Sequence, residues 1–306
     1  MSNFEIIFID SNQFNIDTIC QTKKSNFDTN EKNVFKLKRN YVDIDKTENL
    51  LKDFCRSVTV NNDNFMEEVV KYIGLDETHY GDVKDCYECK DYTIQIMYIM
   101  PHNEDNLDKL KYNMLGSTLT YDKELVYGNV VLFKTYISID NPSNDKVIDT
   151  TFGDLISLIM NNNYHTGVYI NPQNKFEQVF FNNNYEIIDP HNNWKLSSDI
   201  PNIIKDTNYG VKYHEYLKFH LQFVYNSNSE DELNEPFSRL LHGLIKGDGI
   251  IYSPFSENSF YELLVEDVMD LLKVWNQLSQ QIDDTVKMEN KEKTKYQILQ
   301  NRIKNI

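Results

Sequence analysis

The run YTIQIMYIM (residues 92–100) leaves the chain least choice of structure. Its β-branched and aromatic side chains suit a pleated surface. Pro101 closes it, because proline has no amide hydrogen to give a ladder and holds its predecessor extended. A strand this emphatic needs neighbours, and the sequence supplies them. FEIIFID (4–10) reads as a first strand and VYGNVVLFKTYISI (126–139) as a long one. HTGVYI, the turn NPQN, KFEQVFF and NYEIID read as a hairpin or three-strand meander between 165 and 189. The segment GDVKDCYE ahead of residue 89 pairs naturally with CKDYTIQIMYI as a hairpin.

Helical spacing marks TENLLKDFC (47–55) and DNFMEEVVKYIG (63–74), the second with Asp63 as N-cap and Gly74 as C-cap. Asp105 to Met114 also reads as helix, and Thr151 with Asp154 forms an acidic capping box opening FGDLISLIMNNN. VKYHEYLKFHLQFV (211–224) is expected to be helical, residues 11–45 loop or weak helix, NPSND (141–145) and KGDG (246–249) turns. Strands and helices mix without regular β-α-β alternation, so the expected class is α+β: a mixed or antiparallel sheet with packed helices. The expected division is a sheet domain over 1–190, an irregular short-helix region over 191–257 packed on it, and a long amphipathic helix with a basic tail over 258–306. No repeat with a period of 20–50 residues is visible.

At 306 residues, 40% hydrophobic and 13% aromatic, the chain is apolar enough to fold. Its longest apolar runs are far shorter than the roughly 18 residues a spanning helix requires. The start, MSNFEIIFIDSN, reads as a strand and not a signal peptide, so a soluble cytoplasmic protein is expected, with no membrane partner. Four cysteines, at 20, 55, 86 and 89, are too irregular for a disulfide framework. A net charge of -16 opposes phosphate backbones, and no DNA binding is expected.

The chain has no alanine, and arginine occurs only at 39, 56, 239 and 302, the profile of an AT-rich coding genome. With VYGNVVLFK (126–134), TFGDLISLIM (151–160) and HTGVYINPQNKFEQVFF (165–181), it resembles the uncharacterised proteins encoded by giant DNA viruses of amoebae, the mimivirus group. The resemblance covers residues 1–190. It implies a viral source, a host-cytoplasmic location and packaging in the virion as a further option. It implies no reaction.

The chemical motifs are few. Cys86 and Cys89 stand in a C-x-x-C spacing, with His79 before and His102 after. A structural zinc site needs four nitrogen or sulfur ligands, and paired short spacings on both sides identify one; here only one pair exists. The expectation is a hairpin with thiols near its turn and no cofactor, with zinc on these four residues as the alternative. No phosphate loop, dinucleotide fingerprint or nucleophile elbow is present. HEYLKFH (214–220) spaces its histidines six apart, which on a helix puts them on different faces. Asp189, His191 and His165 are the titratable residues an unrecognised enzyme would draw on, but the sequence assembles no catalytic set from them.

Two stretches depart from the acidic background: KNVFKLKRNY (32–41) and the tail KMENKEKTKYQILQNRIKNI (287–306). In the first, Lys32, Lys36, Lys38 and Arg39 alternate with Phe35 and Tyr41, a mixture that can hold single-stranded RNA by charge and stacking. That makes an RNA- or translation-associated protein the alternative. The leading expectation is a non-enzymatic interaction protein. Phe260, Leu264, Leu271, Trp275 and Leu278 fall at intervals of a helical stripe that would meet a protein partner or a second copy.

Overall fold

A computed structural model describes residues 3–24, 31, 33–76, 79–89, 91–102, 110–120, 124–137, 146–182, 187–188, 209–216, 219–226, 232–241, 244–252 and 262–274, with Asn276, Gln277, Gln280, Lys287, Lys291, Thr294 and Gln297 beyond them. The chain divides into two compact units, residues 1–165 with 188–194, and residues 166–187 with 195–306. The protein is α+β, and both sheets have antiparallel pairings. No helix among the described residues is long and apolar enough to cross a membrane.

The first unit holds β1 (Asn3–Ile9), β2 (Cys55–Asn61), β3 (His79–Glu88), β4 (Tyr92–Pro101), β5 (Val130–Tyr136) and β6 (Lys146–Ile148). The sheet order is β2-β1-β5-β4-β3, and β6 takes up the flank of β5 beyond the residues that pair with β1. Alternation along the strands sends Phe4, Ile6, Phe8, Met97, Ile99, Val131 and Phe133 into one core with Val69 and Ile73 of α3 (Phe65–Ile73). Ile7, Ile9, Ile94, Ile96, Val130 and Leu132 are buried too, so both faces are covered. On that second side Gly116 of α4 (Met114–Leu119) lies so close to Val130 that an added Cβ would sit 2.9 Å from its Cγ2.

The same unit contains α1 (Val34–Tyr41), α2 (Ile44–Leu51) and α5 (Phe152–Asn163). The capping box on α5 forms as the sequence predicts: the Asp154 amide donates to Thr151 Oγ1 and the Thr151 amide to Asp154 Oδ2. Leu155, Ile156, Ser157, Leu158, Ile159 and Met160 are all buried. A helix without a wet face must be covered on every side, and α1, α2 and α4 all pack on α5.

The second unit is built on β7 (Tyr164–Ile170), β8 (Phe176–Asn182), β9 (Ile187–Ile188), β10 (Tyr209–Tyr216), β11 (Phe219–Asn226) and β12 (Gly249–Tyr252), in the order β10-β11-β12-β7-β8-β9. Its helices are α6 (Glu235–Leu241) and α7 (265–274). Val168, Ile170, Leu221, Phe223, Phe237, Leu240, Ile251, Leu263, Val268 and Leu271 form its core.

Strand for strand, the two sheets repeat one plan. β8-β7-β12-β11-β10 follows the order of β2-β1-β5-β4-β3, and in both units a short helix precedes the central strand and a second helix follows it in the chain. The repeat extends to a single side chain. Asn113 Nδ2 donates to the carbonyls of Asp10 (3.2 Å) and Gly128 (2.9 Å), while its Oδ1 accepts the amide of Gly116 at the start of α4 (2.8 Å). Asn234 Nδ2 donates to Ile170 and Gly247, each at 2.9 Å, and its Oδ1 accepts the amide of Phe237 in α6 at 3.2 Å. Four positions on, Ser117 Oγ accepts the Val126 amide and Ser238 Oγ the Ile245 amide. Gly128 and Gly247 then turn the chain at φ 71° and 72°, a left-handed conformation that costs a side-chain-bearing residue about 1–2 kcal/mol. Each asparagine pins the end of one central strand, the start of a helix and the turn into the next strand.

Several expectations need correction. Residues 211–224 are not a helix: β10 and β11 pair from Tyr209↔Asn226 to Tyr216↔Phe219. Their Val, Tyr and Phe content favours a pleated surface, and pairing with β12 fixes it. The described part of 191–257 is therefore sheet and helix of the second unit, not an irregular appendage, and the division falls near residue 165 instead of 190. β5 begins at Val130, since Val126 to Asn129 make the glycine turn. α3 starts at Phe65 after a 3-10 turn (Asn62–Asn64) that contains Asp63; Gly74 does end it, at φ 76°. Within 11–45 the basic run is a regular helix, α1. Of the segment 105–114, residues 105–109 lie outside the described residues, and Lys111 to Asn113 are not helical.

Candidate functional site

The C-x-x-C hairpin is present, and its geometry separates the four residues. β3 and β4 pair from His79↔Pro101 to Glu88↔Thr93, with Cys86 the extra residue of a bulge. Cys86 and Cys89 sit at one end, His79 and His102 at the other, about 30 Å away for a ten-residue strand. They cannot share one ion. Cys86 Sγ faces Lys84 O at 3.8 Å, Cys89 Sγ faces Tyr92 O at 3.3 Å, and His79 Nδ1 lies 2.7 Å from Asp76 Oδ1. Among the described residues no three His, Cys, Asp or Glu side chains converge to hold a metal.

The basic run does not form an exposed row of cations. In α1, Leu37, Lys38 and Tyr41 are buried, and Lys38 Nζ donates to the carbonyl of Asn161 on α5 at 3.2 Å. Phe35 stacks on Tyr87 with ring centroids 4.4 Å apart, and the Arg39 guanidinium lies against Gly153. Of the set, Lys36 is exposed, and Lys32 lies outside the described residues. Of the residues predicted to meet nucleic acid, Lys38 and Arg39 thus attach α1 to α5, and Phe35 stacks on β3.

A cavity of about 490 Å³ in the first unit is lined by Glu5, Ile7, Lys52, Cys55, Ser57 and Thr151. Burial, reinforced by the charge of Asp10, pushes the Cys55 thiol up to about 12, which leaves it a poor nucleophile at neutral pH. Ser57 Oγ donates to Glu5 Oε2 at 2.9 Å. Near the edge of the sheet the Tyr98 hydroxyl lies 3.1 Å from both Asp82 Oδ2 and Glu124 Oε2, and can donate to either. Burial first and then the two carboxylates hold that phenol well above its usual ionisation range, so it serves as a hydrogen-bond donor and not as a base. Of Asp189, His191 and His165, only His165 falls among the described residues.

An apolar concavity belongs to the second unit, between α6 and α7. It encloses about 280 Å³, and Phe176, Pro236, Arg239, Met269, Leu272 and Lys273 line it. Asn234 fixes the start of α6, as described above, and Phe237 turns inward against Phe223 with centroids 5.7 Å apart. α7 begins with the Leu264 amide donating to Asp267 Oδ2 at 2.8 Å, the same bond that Thr151 makes to Asp154 at 2.8 Å ahead of α5. Val268 and Leu271 then enter the core, with Val265 and Leu272 partly buried against it. The rim is polar: Arg239 Nη1 donates to Asn276 Oδ1 at 3.0 Å and pairs with Glu235, and Lys273 pairs with Asp270 at 2.7 Å.

Of the stripe predicted to meet a partner, Leu271 is therefore core and Leu264 is half-buried at the helix start, while Phe260, Trp275 and Leu278 lie outside the described residues. The apolar residue that α7 leaves outside is Met269, which the helical stripe did not include; Val274 is exposed as well. Set against protein families, curated proteins and solved structures, the chain matches none.

Proposed function

We propose that this protein acts by binding another polypeptide, with the α6–α7 groove of the second unit as its contact surface, and not by catalysis. One observation carries the reading. α5 and α7 start with the same capping bond, which makes Ile156 and Met269 counterparts; Ile156 is 0% exposed and Met269 39% exposed. A position that is core in one unit is bare in the other, over an apolar floor of Phe176 and Leu272 inside a charged rim. Such a concavity suits a helix that brings apolar anchors and polar flanks. The test is a photo-crosslinkable residue placed at 269 in the full chain in its native cells. A discrete protein adduct, missing when the same residue replaces exposed Lys71, is expected. Adducts to RNA, or none, would refute the proposal.

A further inference from the structure

The repeat contains one place that a side chain fills in the second unit and that is a cavity in the first. Gln178 of β8 is 1% exposed, and its carboxamide ties the strand to the start of α7. Its Nε2 donates to the carbonyls of Gly167 (2.9 Å) and Leu263 (2.8 Å), while Oε1 accepts the Val265 amide (3.2 Å). The ladders identify its counterpart. Ile9 pairs with Val130 and Ile170 with Gly249, each just past the turn at Gly128 or Gly247, so Ile7 answers to Val168. On β2, Ile7 and Ile9 face Ser57 and Cys55. The turn between β7 and β8 is closed by the Asn171 amide on the Lys175 carbonyl at 3.2 Å, and stepping out from that pair sets Ile170 beside Phe176 and Val168 beside Gln178. Cys55 and Ser57 therefore stand where Phe176 and Gln178 stand.

Both exchanges shorten a side chain, and both residues border the first unit's cavity of about 490 Å³, a volume within the range of small-molecule sites. Thr151 and Phe152, the counterparts of Leu264 and Val265 by their shared capping bond, line it as well. The Ser57 hydroxyl donates to Glu5 Oε2 at 2.9 Å, so it makes none of the bonds that Gln178 makes. As the first residue of α5, Phe152 has no acceptor for its amide within the helix, and none among the other described residues. We infer that this cavity receives the primary carboxamide of a small molecule. Its oxygen accepts from the Phe152 amide and its nitrogen donates to the Thr150 carbonyl, as Gln178 does with Val265 and Leu263. The apolar frame of the ligand lies beside Cys55, where the second unit has the ring of Phe176. A carboxylate fits worse on two counts: it has no hydrogen to give a carbonyl, and Glu5 and Glu48 line the same cavity. The site belongs to the first unit and does not depend on the α6–α7 groove.

Ligand-detected saturation-transfer NMR on the full chain tests it, with benzamide and glutamine as carboxamides on an aromatic and an aliphatic frame, and benzoate as the carboxylate. Benzamide is expected to bind with a dissociation constant on the order of 1 mM, usual for so small a ligand, and benzoate more weakly. Ser57→Gln, at an exposed position, places the second unit's own carboxamide in the cavity and should abolish binding. Phe152→Pro removes the amide while keeping the helix, since proline suits the first helical position and Thr151 already has the extended backbone (φ -110°, ψ 163°) that a following proline requires. It should weaken binding roughly three- to ten-fold, and Phe152→Leu, which keeps the amide, should not. Circular dichroism of each variant should match that of the parent. Glutamine binding in place of benzamide keeps the carboxamide and assigns it an aliphatic frame. No binding of either carboxamide at about 10 mM, a concentration that would half-fill even a very weak site, overturns the inference. So does benzoate binding as tightly as benzamide, or benzamide binding that Ser57→Gln leaves unchanged.

Discussion

Replacing Asn113 with alanine should do more damage than the loss of one polar surface side chain would suggest. The substitution removes the acceptor for the Gly116 amide and the donor to the Gly128 and Asp10 carbonyls, and Asn113 is fully buried. A buried polar group left without a partner costs about 1–3 kcal/mol. Taking two such groups, Gly116 N–H and Gly128 O, the variant should lose roughly 2–6 kcal/mol. For a unit of this size each kcal/mol moves the melting midpoint by about 2–4 °C, so a fall of roughly 4–24 °C is expected. Asn33→Ala is the control: it is also a helix cap, but its single bond, Lys36 amide to Asn33 Oδ1 at 3.0 Å, is exposed and worth about 1 kcal/mol. Calorimetry supplies the midpoints, and hydrogen exchange read by peptide locates the loss. Asn113→Ala should loosen the sheet of β1 and β5, and Asn234→Ala that of β7 and β12. Equal midpoints for Asn113→Ala and Asn33→Ala would refute the idea that these asparagines hold the units together.

Lys38→Ala should destabilise the protein by about 1–3 kcal/mol through its buried amine and stem, while Lys36→Ala should stay within about 0.5 kcal/mol; similar small effects on stability together with loss of RNA binding in both would restore the nucleic-acid reading. With native protein at pH 8, an alkylating reagent should reach half-buried Cys89 well before buried Cys55, whose thiol at about 12 is ionised to about one part in ten thousand; Cys55 reacting first would contradict its placement. Burial, followed by the nearby Cys89, raises Tyr92 to about 12, and Tyr98 is raised as well. A phenol with a raised folded-state pKa contributes stability below its unfolded value near 10 and loses it as pH climbs through the folded value. Denaturation midpoints should therefore fall between about pH 10 and 12, and Tyr98→Phe should flatten that fall; an unchanged slope would count against it.

Local chemistry made much of the first unit legible. Pro101 after YTIQIMYIM, Thr151 with Asp154, and Gly74 after a helical stripe each act within a few residues, and all three stand where the pattern puts them. The hairpin of β10 and β11 was hidden because VKYHEYLKFHLQFV offers apolar residues at helical intervals as well as β-rich content, and only the ladder to β12 decides between them. The repeat was hidden for a different reason. It is carried by Asn113 and Asn234, Ser117 and Ser238, Gly128 and Gly247, Asp154 and Asp267, while the apolar positions between them exchange freely. The connection holding α1 and α2 in one unit shrinks to a turn in the other, which breaks any constant period. An Asn-x-x-x-Ser followed by a strand-opening glycine turn was the available signal, and its meaning lies in backbone carbonyls that no sequence displays. Likewise Leu271 and Met269 look alike as apolar residues on a helix; which of them is core depends on where α6 sits.

The central claim is that one structural plan is built twice, covered in the first unit and open in the second. Cysteines placed singly at the counterpart positions test it most directly, as Ile156→Cys and Met269→Cys in the full chain, with labelling rates read by mass spectrometry of the peptides. The account predicts that position 269 labels at least about ten times faster than position 156 in dilute protein, because only local or global opening exposes the latter. Equal rates at the two positions would contradict it.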